Sequence, residues 1–231
     1  AEDVIDFGGL PEIPANEFVG AGVWQLYKAI ESPYKSVLKL LLLEAYASST
    51  ARVVSENEND ISAAIKNTSE PLAISFKRAI YAQTPDANTL DPYVMVYQRL
   101  ENYLRLHHQL LRLELVRRCF YFKANNALSR TNRQANKSWQ RQLLEQLVKN
   151  WNWSTHQLHM LDNRAYWEVP DVISERALLV NELNQSYRLL NELNKHHDHD
   201  IAISNEELSI LGRKLHAAFE RKAGKIEWIN P

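Results

Sequence analysis

Residues 17–47 read EFVGAGVWQLYKAIESPYKSVLKLLLLEAYA, and this stretch decides the fold. Two helix-like runs flank Ser32-Pro33. Proline fixes its own φ and pushes the residue before it out of the α region, so a helix must stop and restart there. Serine as cap and proline at the first helical position predict a second helix from Pro33 to about Ser48. That helix should bury Val37, Leu38, Leu41, Leu42 and Ala45 on one face. The first helix is expected over roughly 16–30. The same stretch sets Lys28, Lys35 and Lys39 among four rings, Trp24, Tyr27, Tyr34 and Tyr46.

Beyond this stretch the chain is poor in glycine. Of its 231 residues six are glycine: four precede Val23, and Gly212 and Gly224 come near the end. Tight strand turns rely on residues that accept positive φ, so the long interval between is poor material for a sheet. The expected class is all-α, with eight or nine helices. One short edge strand is expected near 225–229, where Ile226 and Trp228 alternate with charged residues.

Three regions are expected. Residues 1–50 form a connector, marked by Gly8, Gly9, Pro11 and Pro14, and the helical hairpin. Residues 51–90 form a variable surface segment, polar over 49–67 with a short helix, and another helix follows Pro71. Residues 91–231 form a helical domain. Asp91-Pro92 is a cap followed by proline, and 110–128 is apolar on most sides and reads as a central helix. Residues 136–152 place Trp139, Leu143, Leu147 and Trp151 near helical spacing, and STHQLHML after Trp153 reads as a short turn. Pro170 opens the longest helix, with Ile173, Ala177, Val180, Tyr187 and Leu190 as its stripe. Ser204 and Glu207 have capping-box spacing ahead of the last helix.

Net charge is −1, so no general field draws the molecule to nucleic acid or anionic lipid, and neither is expected as a partner. The longest apolar run, Leu40–Leu43, is far short of the ~20 residues that span a bilayer. The acidic opening residues lack the apolar core of a signal peptide. The single cysteine, Cys119, lies in the run LVRRCFYF and reads as a buried thiol of a reducing compartment; a cytoplasmic location is expected.

No glycine-rich phosphate loop, G-x-S-x-G elbow, H-E-x-x-H or cysteine-rich metal spacing occurs. The run His196, His197, Asp198, His199, Asp200 reads as a solvated helix end, because adjacent helical residues diverge by about 100°. No metal site is expected in this chain. The doublets Arg117-Arg118 and Arg213-Lys214 diverge for the same reason, so each is expected to have one residue solvated and one paired with an acid. Lys35 and Lys39 differ in kind. They are i, i+4 neighbours that repel by ~0.2–0.5 kcal/mol, and they sit on the opening turns, where the helix dipole already disfavours cations. A bound phosphate chain would reverse the sign of both effects, although rings and solvent can also accommodate two lysines.

The quoted stretch resembles the signature region of the class I adenylate cyclases, bacterial enzymes that make cyclic AMP from ATP. The family pattern is approximately E-Y-F-G-small-small-L-W-x-L-Y-K, then S/A-P-Y-K, L-K and L-L-L-E-A-Y. Further matching runs follow in order: DPYVMVYQRLENYL, RLELVRRCFYFKANNALSR, LDNRAYW, NELNQSYRLL and ILGRKLHAAFERKAGKIEWINP. Phe18, Val19, Gly22 and Val23 depart from the pattern by small or apolar exchanges.

The resemblance implies membership of the nucleotidyltransferase superfamily, where a Gly-Ser motif and nearby aspartates hold Mg²⁺ for attack of the ribose 3′-hydroxyl on the α-phosphorus. No Gly-Ser dipeptide occurs here, so no catalytic residue is expected in this chain and Mg²⁺ is expected on residues upstream. The chain is expected to be an internal piece, inactive alone, that supplies the helical part of the catalytic region. By analogy Lys28, Tyr34, Lys35 and Lys39 are expected to face the ATP phosphates. The alternative is a helical regulatory or docking module that never touches nucleotide. Partners implied are ATP, the rest of the cyclase chain and a regulatory protein of the sugar-phosphotransferase system.

Overall fold

The structure, a computed structural model, describes residues 15–55, 72–81, 91–130, 138–196 and 203–219. Among the described residues there are nine α-helices and no strand. They are α1 (Ala15–Lys28), α2 (Pro33–Ser55), α3 (Leu72–Tyr81), α4 (Pro92–Leu106), α5 (Leu110–Ala124), α6 (Trp139–Asn150), α7 (Thr155–Asp162), α8 (Val169–His196) and α9 (Asn205–Phe219). The strand expected near 225–229 lies outside the described residues.

Local chemistry sets the helix boundaries. The amide of Ser36 reaches the carbonyl of Ser32 at 3.1 Å, so α2 starts at the Ser-Pro break. Asp91 caps α4, its carboxylate accepting from the amides of Tyr93 (2.8 Å) and Val94 (3.3 Å). Ser204 and Glu207 form the reciprocal capping box, with Ser204 N–H to Glu207 Oε2 at 2.8 Å and Glu207 N–H to Ser204 Oγ at 3.2 Å. Among the described residues of this glycine-poor chain, positive φ falls to His108 (56°), Asn125 (48°) and Asn152 (57°). Asparagine tolerates the left-handed region better than most side-chain-bearing residues.

α2 runs through the middle of the molecule. It packs against α1, α4, α5 and α8, and α5 also packs along α4. Its Val37, Leu38 and Leu41 are fully enclosed, with Ala45 buried and Leu42 half-buried. A ring cluster closes the far side, where Trp151 Nε1 donates to Tyr97 Oη at 2.6 Å and both rings lean on Phe120.

Three expectations need correction. α2 does not stop near Ser48 but continues to Ser55, because nothing in 49–55 is glycine or proline and polar residues alone do not end a helix. STHQLHML is a true helix, α7, capped by Ser154 Oγ on the Gln157 amide at 3.1 Å. α8 faces the core with Glu175, Leu179, Glu182, Leu183, Ser186 and Leu190, while Ile173 and Ala177 are exposed. The buried carboxylates made the true inner face look polar.

Candidate functional site

The opening turns of α2 separate the expected residues. Tyr34, Ser36, Val37 and Leu38 turn inward, Lys35 is exposed, and Lys39 is half-buried. Burial lowers the affinity of the Lys39 ammonium for its proton, and the charge of Lys35 lowers it further. Neither lysine has an acidic partner among the described residues. The two cations are therefore neighbours, Lys39 partly desolvated, and neither is compensated by an acid among the described residues.

Lys28 is held differently. Its ammonium lies 3.2 Å from Glu31 and 5.3 Å from the centre of the Trp24 ring, on an exposed part of the surface. An exposed pair of this kind contributes little to stability.

Tyr34 is 8% exposed and stacks at a tilt on Phe122, with ring centres 4.6 Å apart. Its hydroxyl is enclosed and has no hydrogen-bond partner. Burial, reinforced by Glu175, pushes the phenol well above its ordinary acidity range, so it stays neutral. Beside it, Arg164 lies with its guanidinium carbon 4.5 Å from the Phe122 ring centre and 5.3 Å from that of Tyr34. Arg164 belongs to a 3-10 turn, Arg164–Tyr166, between α7 and α8.

The arginine doublet on α5 diverges as expected, but both members are paired. Arg117 meets Glu101 at 3.3 Å and also Glu114 on its own helix, whereas Arg118 meets Glu175 on α8 at 3.4 Å. Neither is solvated, because α4 and α8 each offer a carboxylate. The larger surprise is Arg112, which grips Glu44 on α2 and Glu182 on α8. Arg112–Glu182 and Arg118–Glu175 run in opposite order along α5 and α8, so the two helices are antiparallel. Glu175 and Glu182 stand seven residues apart on α8 and Arg112 and Arg118 six apart on α5, a similar spacing that nothing within either helix connects.

Cys119 is fully buried and its thiol is pushed up by burial, the environment of an inert core residue. Among the described residues no three His, Cys, Asp or Glu side chains gather at a spacing that could hold a metal. Residues 197–200 of the histidine run lie outside the described residues. No helix among the described residues is long and apolar enough to cross a membrane. A shallow apolar groove of about 390 Å³ lies between α1 and α9, walled by Trp24, Tyr27, Ile210 and Leu211 with Lys214 at its edge.

The family model described as "Adenylate cyclase, class-I, second domain" matches residues 13–230. Proteins named adenylate cyclase from Yersinia intermedia and from Escherichia coli strain K12 are each 40% identical to this chain over 227 residues. Each alignment covers 98% of this chain and 25% of the relative. An adenylate cyclase from Proteus mirabilis is 38% identical over 228 residues, 98% of this chain and 24% of its own. The chain thus spans about a quarter of the length of these curated relatives. No solved structure matches it. With a second-domain match across nearly its whole length and a helical core to go with it, the chain belongs to the class I adenylate cyclase family.

Proposed function

We propose that this chain is the helical portion of the catalytic region of a cytoplasmic cyclase converting ATP to 3′,5′-cyclic AMP and pyrophosphate, and that Lys35 and Lys39 meet the triphosphate. One observation carries the reading: two uncompensated cations on the opening turns of one helix, one of them partly desolvated. Lysine is a flexible point charge suited to a tetrahedral anion. Placed at the phosphates, the pair would stabilise the charge that gathers on departing pyrophosphate. Lys28 is the third candidate, with Glu31 as a competitor it must leave. The enclosed Tyr34 hydroxyl reaches no solvent, so its ring, as a support, is the part of Tyr34 that serves this site.

Mg²⁺, which the superfamily implies, does not fit the described residues of this chain: Glu44 and Glu182 are occupied by Arg112, and no acidic group of three gathers elsewhere among the described residues. The metal is assigned to another part of the cyclase polypeptide. In the full-length enzyme Lys39→Ala should lower turnover tenfold or more, or about 1.4 kcal/mol in the barrier. A loss below about twofold would remove the phosphate role.

The α1–α9 groove favours a second reading, a docking module for another part of the same cyclase. Trp24 is 57% exposed and Tyr27 45%, unusual for rings beside an apolar groove. In that case ATP with Mg²⁺ leaves Lys39 variants and wild type equally active, while Trp24→Ala disrupts the assembled enzyme.

A further inference from the structure

We propose that Arg164 is the guanidinium arm of an anion subsite beside the first turn of α2, taking phosphoryl oxygens of the same triphosphate. The proposal rests on the reading of Lys35 and Lys39 given above. Arg164 belongs to the run LDNRAYW, to which that reading assigned no task. Its guanidinium lies against one side of the paired rings of Phe122 and Tyr34, with no carboxylate at ion-pair distance among the described residues. Contact with the rings steadies the cation, and a guanidinium beside the Tyr34 hydroxyl still carries N–H donors enough to bond a phosphate bidentately.

The groups around it leave its charge unbalanced. Glu175, 4% exposed, uses one oxygen for Arg118 and leaves the other unpartnered. The Tyr34 hydroxyl and the Nε–H of Arg118 are likewise enclosed without a hydrogen-bond partner. The charges are unequal too: two guanidinium groups, Arg118 and Arg164, face one carboxylate and leave one positive charge, which Arg164 carries on the half-exposed side. An anion at the half-exposed guanidinium of Arg164 balances that charge. Position supports this, because Tyr34 is the second residue of α2 and Lys35 follows it directly.

The competing account makes Arg164 only a counter-charge for Glu175, and the two accounts part in a double variant. The probe is inorganic triphosphate, titrated by calorimetry into the cyclase polypeptide that contains this chain, with thermal unfolding as the check on folding. Arg164→Ala should weaken binding by about tenfold and Arg164→Lys by a few-fold, since lysine keeps the charge but loses the fork. Adding Glu175→Gln to Arg164→Ala should not restore it. Restoration to wild-type affinity would overturn the proposal in favour of the counter-charge. If Lys39→Ala weakens binding and Arg164→Ala does not, the proposal falls and the lysine reading stands. If only Arg164→Ala weakens it, the subsite stands and the lysine reading falls. If Arg164→Lys unfolds at the wild-type temperature and binds as wild type does, the bidentate role is overturned.

Discussion

Arg112 shows how much one residue ties together. Its Nε donates to Glu182 at 2.9 Å, and its two terminal nitrogens reach the Glu44 carboxylate at 2.8 and 2.7 Å. Tyr103 also donates to Glu44 at 2.9 Å, and burial, with Glu44 adding to it, pushes that phenol up to about 12. Truncating one partner of a buried ion pair strands the others, so Arg112→Ala should cost about 3–5 kcal/mol in urea unfolding. Replacing Glu44, Arg112 and Glu182 together by apolar residues of similar volume should cost much less, because no charge is left behind. Glu175 gives the matching pH test. Burial raises its carboxyl above the ordinary 4.5, against the pull of Arg118 and Arg164. Over the interval from 4.5 upward to the raised value the native state holds more protons than the unfolded chain, so this group's contribution to stability falls as pH rises. Glu175→Gln removes that slope. The stability difference between variant and wild type, followed by urea unfolding from about pH 4 to about pH 7, should therefore move in the variant's favour and then level off; a flat difference would contradict it. The aliphatic positions of α2 were legible from their spacing. The arginine pairs were not, because Arg112 and its acids lie 68 and 70 residues apart, and pattern reading works within single helices.

At the scale of elements, caps and breaks were legible and faces less so. Asp91, Ser204 with Glu207, and the Ser32-Pro33 break each act through groups within a few residues, which the sequence displays directly. Faces depend on neighbours. On α6 the expected Trp139 is exposed, while Arg141 is buried and donates to the carbonyls of Ala127 (3.0 Å) and Arg130 (3.1 Å). A charged residue that closes a loop from below cannot be told from a solvated one by periodicity. The approach of α1 to α8 adds a prediction. A Cβ on Gly22 would lie 2.5 and 2.7 Å from the two methyl carbons of Leu190, which is itself buried. Alanine gains about 1 kcal/mol over glycine in a helix interior, and overpacking costs about 1–3 kcal/mol, so Gly22→Ala should be neutral to about 2 kcal/mol destabilising. In a Leu190→Val background the clash is relieved and the helix preference remains. There Gly22→Ala should stabilise, and a cycle of the four proteins by thermal unfolding would show the reversal of sign.

For the whole molecule, the helical class was legible from the scarcity of glycine, but the place of the first hairpin was not. Read along the sequence, 1–50 and 91–231 look like separate regions divided by a polar segment. In space α2 lies against α4, α5 and α8, and Val37, Leu38 and Leu41 sit in one continuous core with Leu100, Val116 and Leu183. Glu44 on α2 also completes the coordination of Arg112, so without the hairpin an arginine would be left facing apolar surroundings with one acid instead of two. A chain beginning at residue 56 should therefore not fold as a unit. The whole chain should unfold in one urea transition, with far-UV dichroism and tryptophan fluorescence changing together. The shortened chain should keep much of its far-UV signal, lose its near-UV signal and bind a hydrophobic dye, as expected when helices persist but fixed packing is lost. A cooperative transition of the shortened chain, with a denaturant slope in proportion to its length, would instead make 91–231 an independent domain and the hairpin an attachment to it.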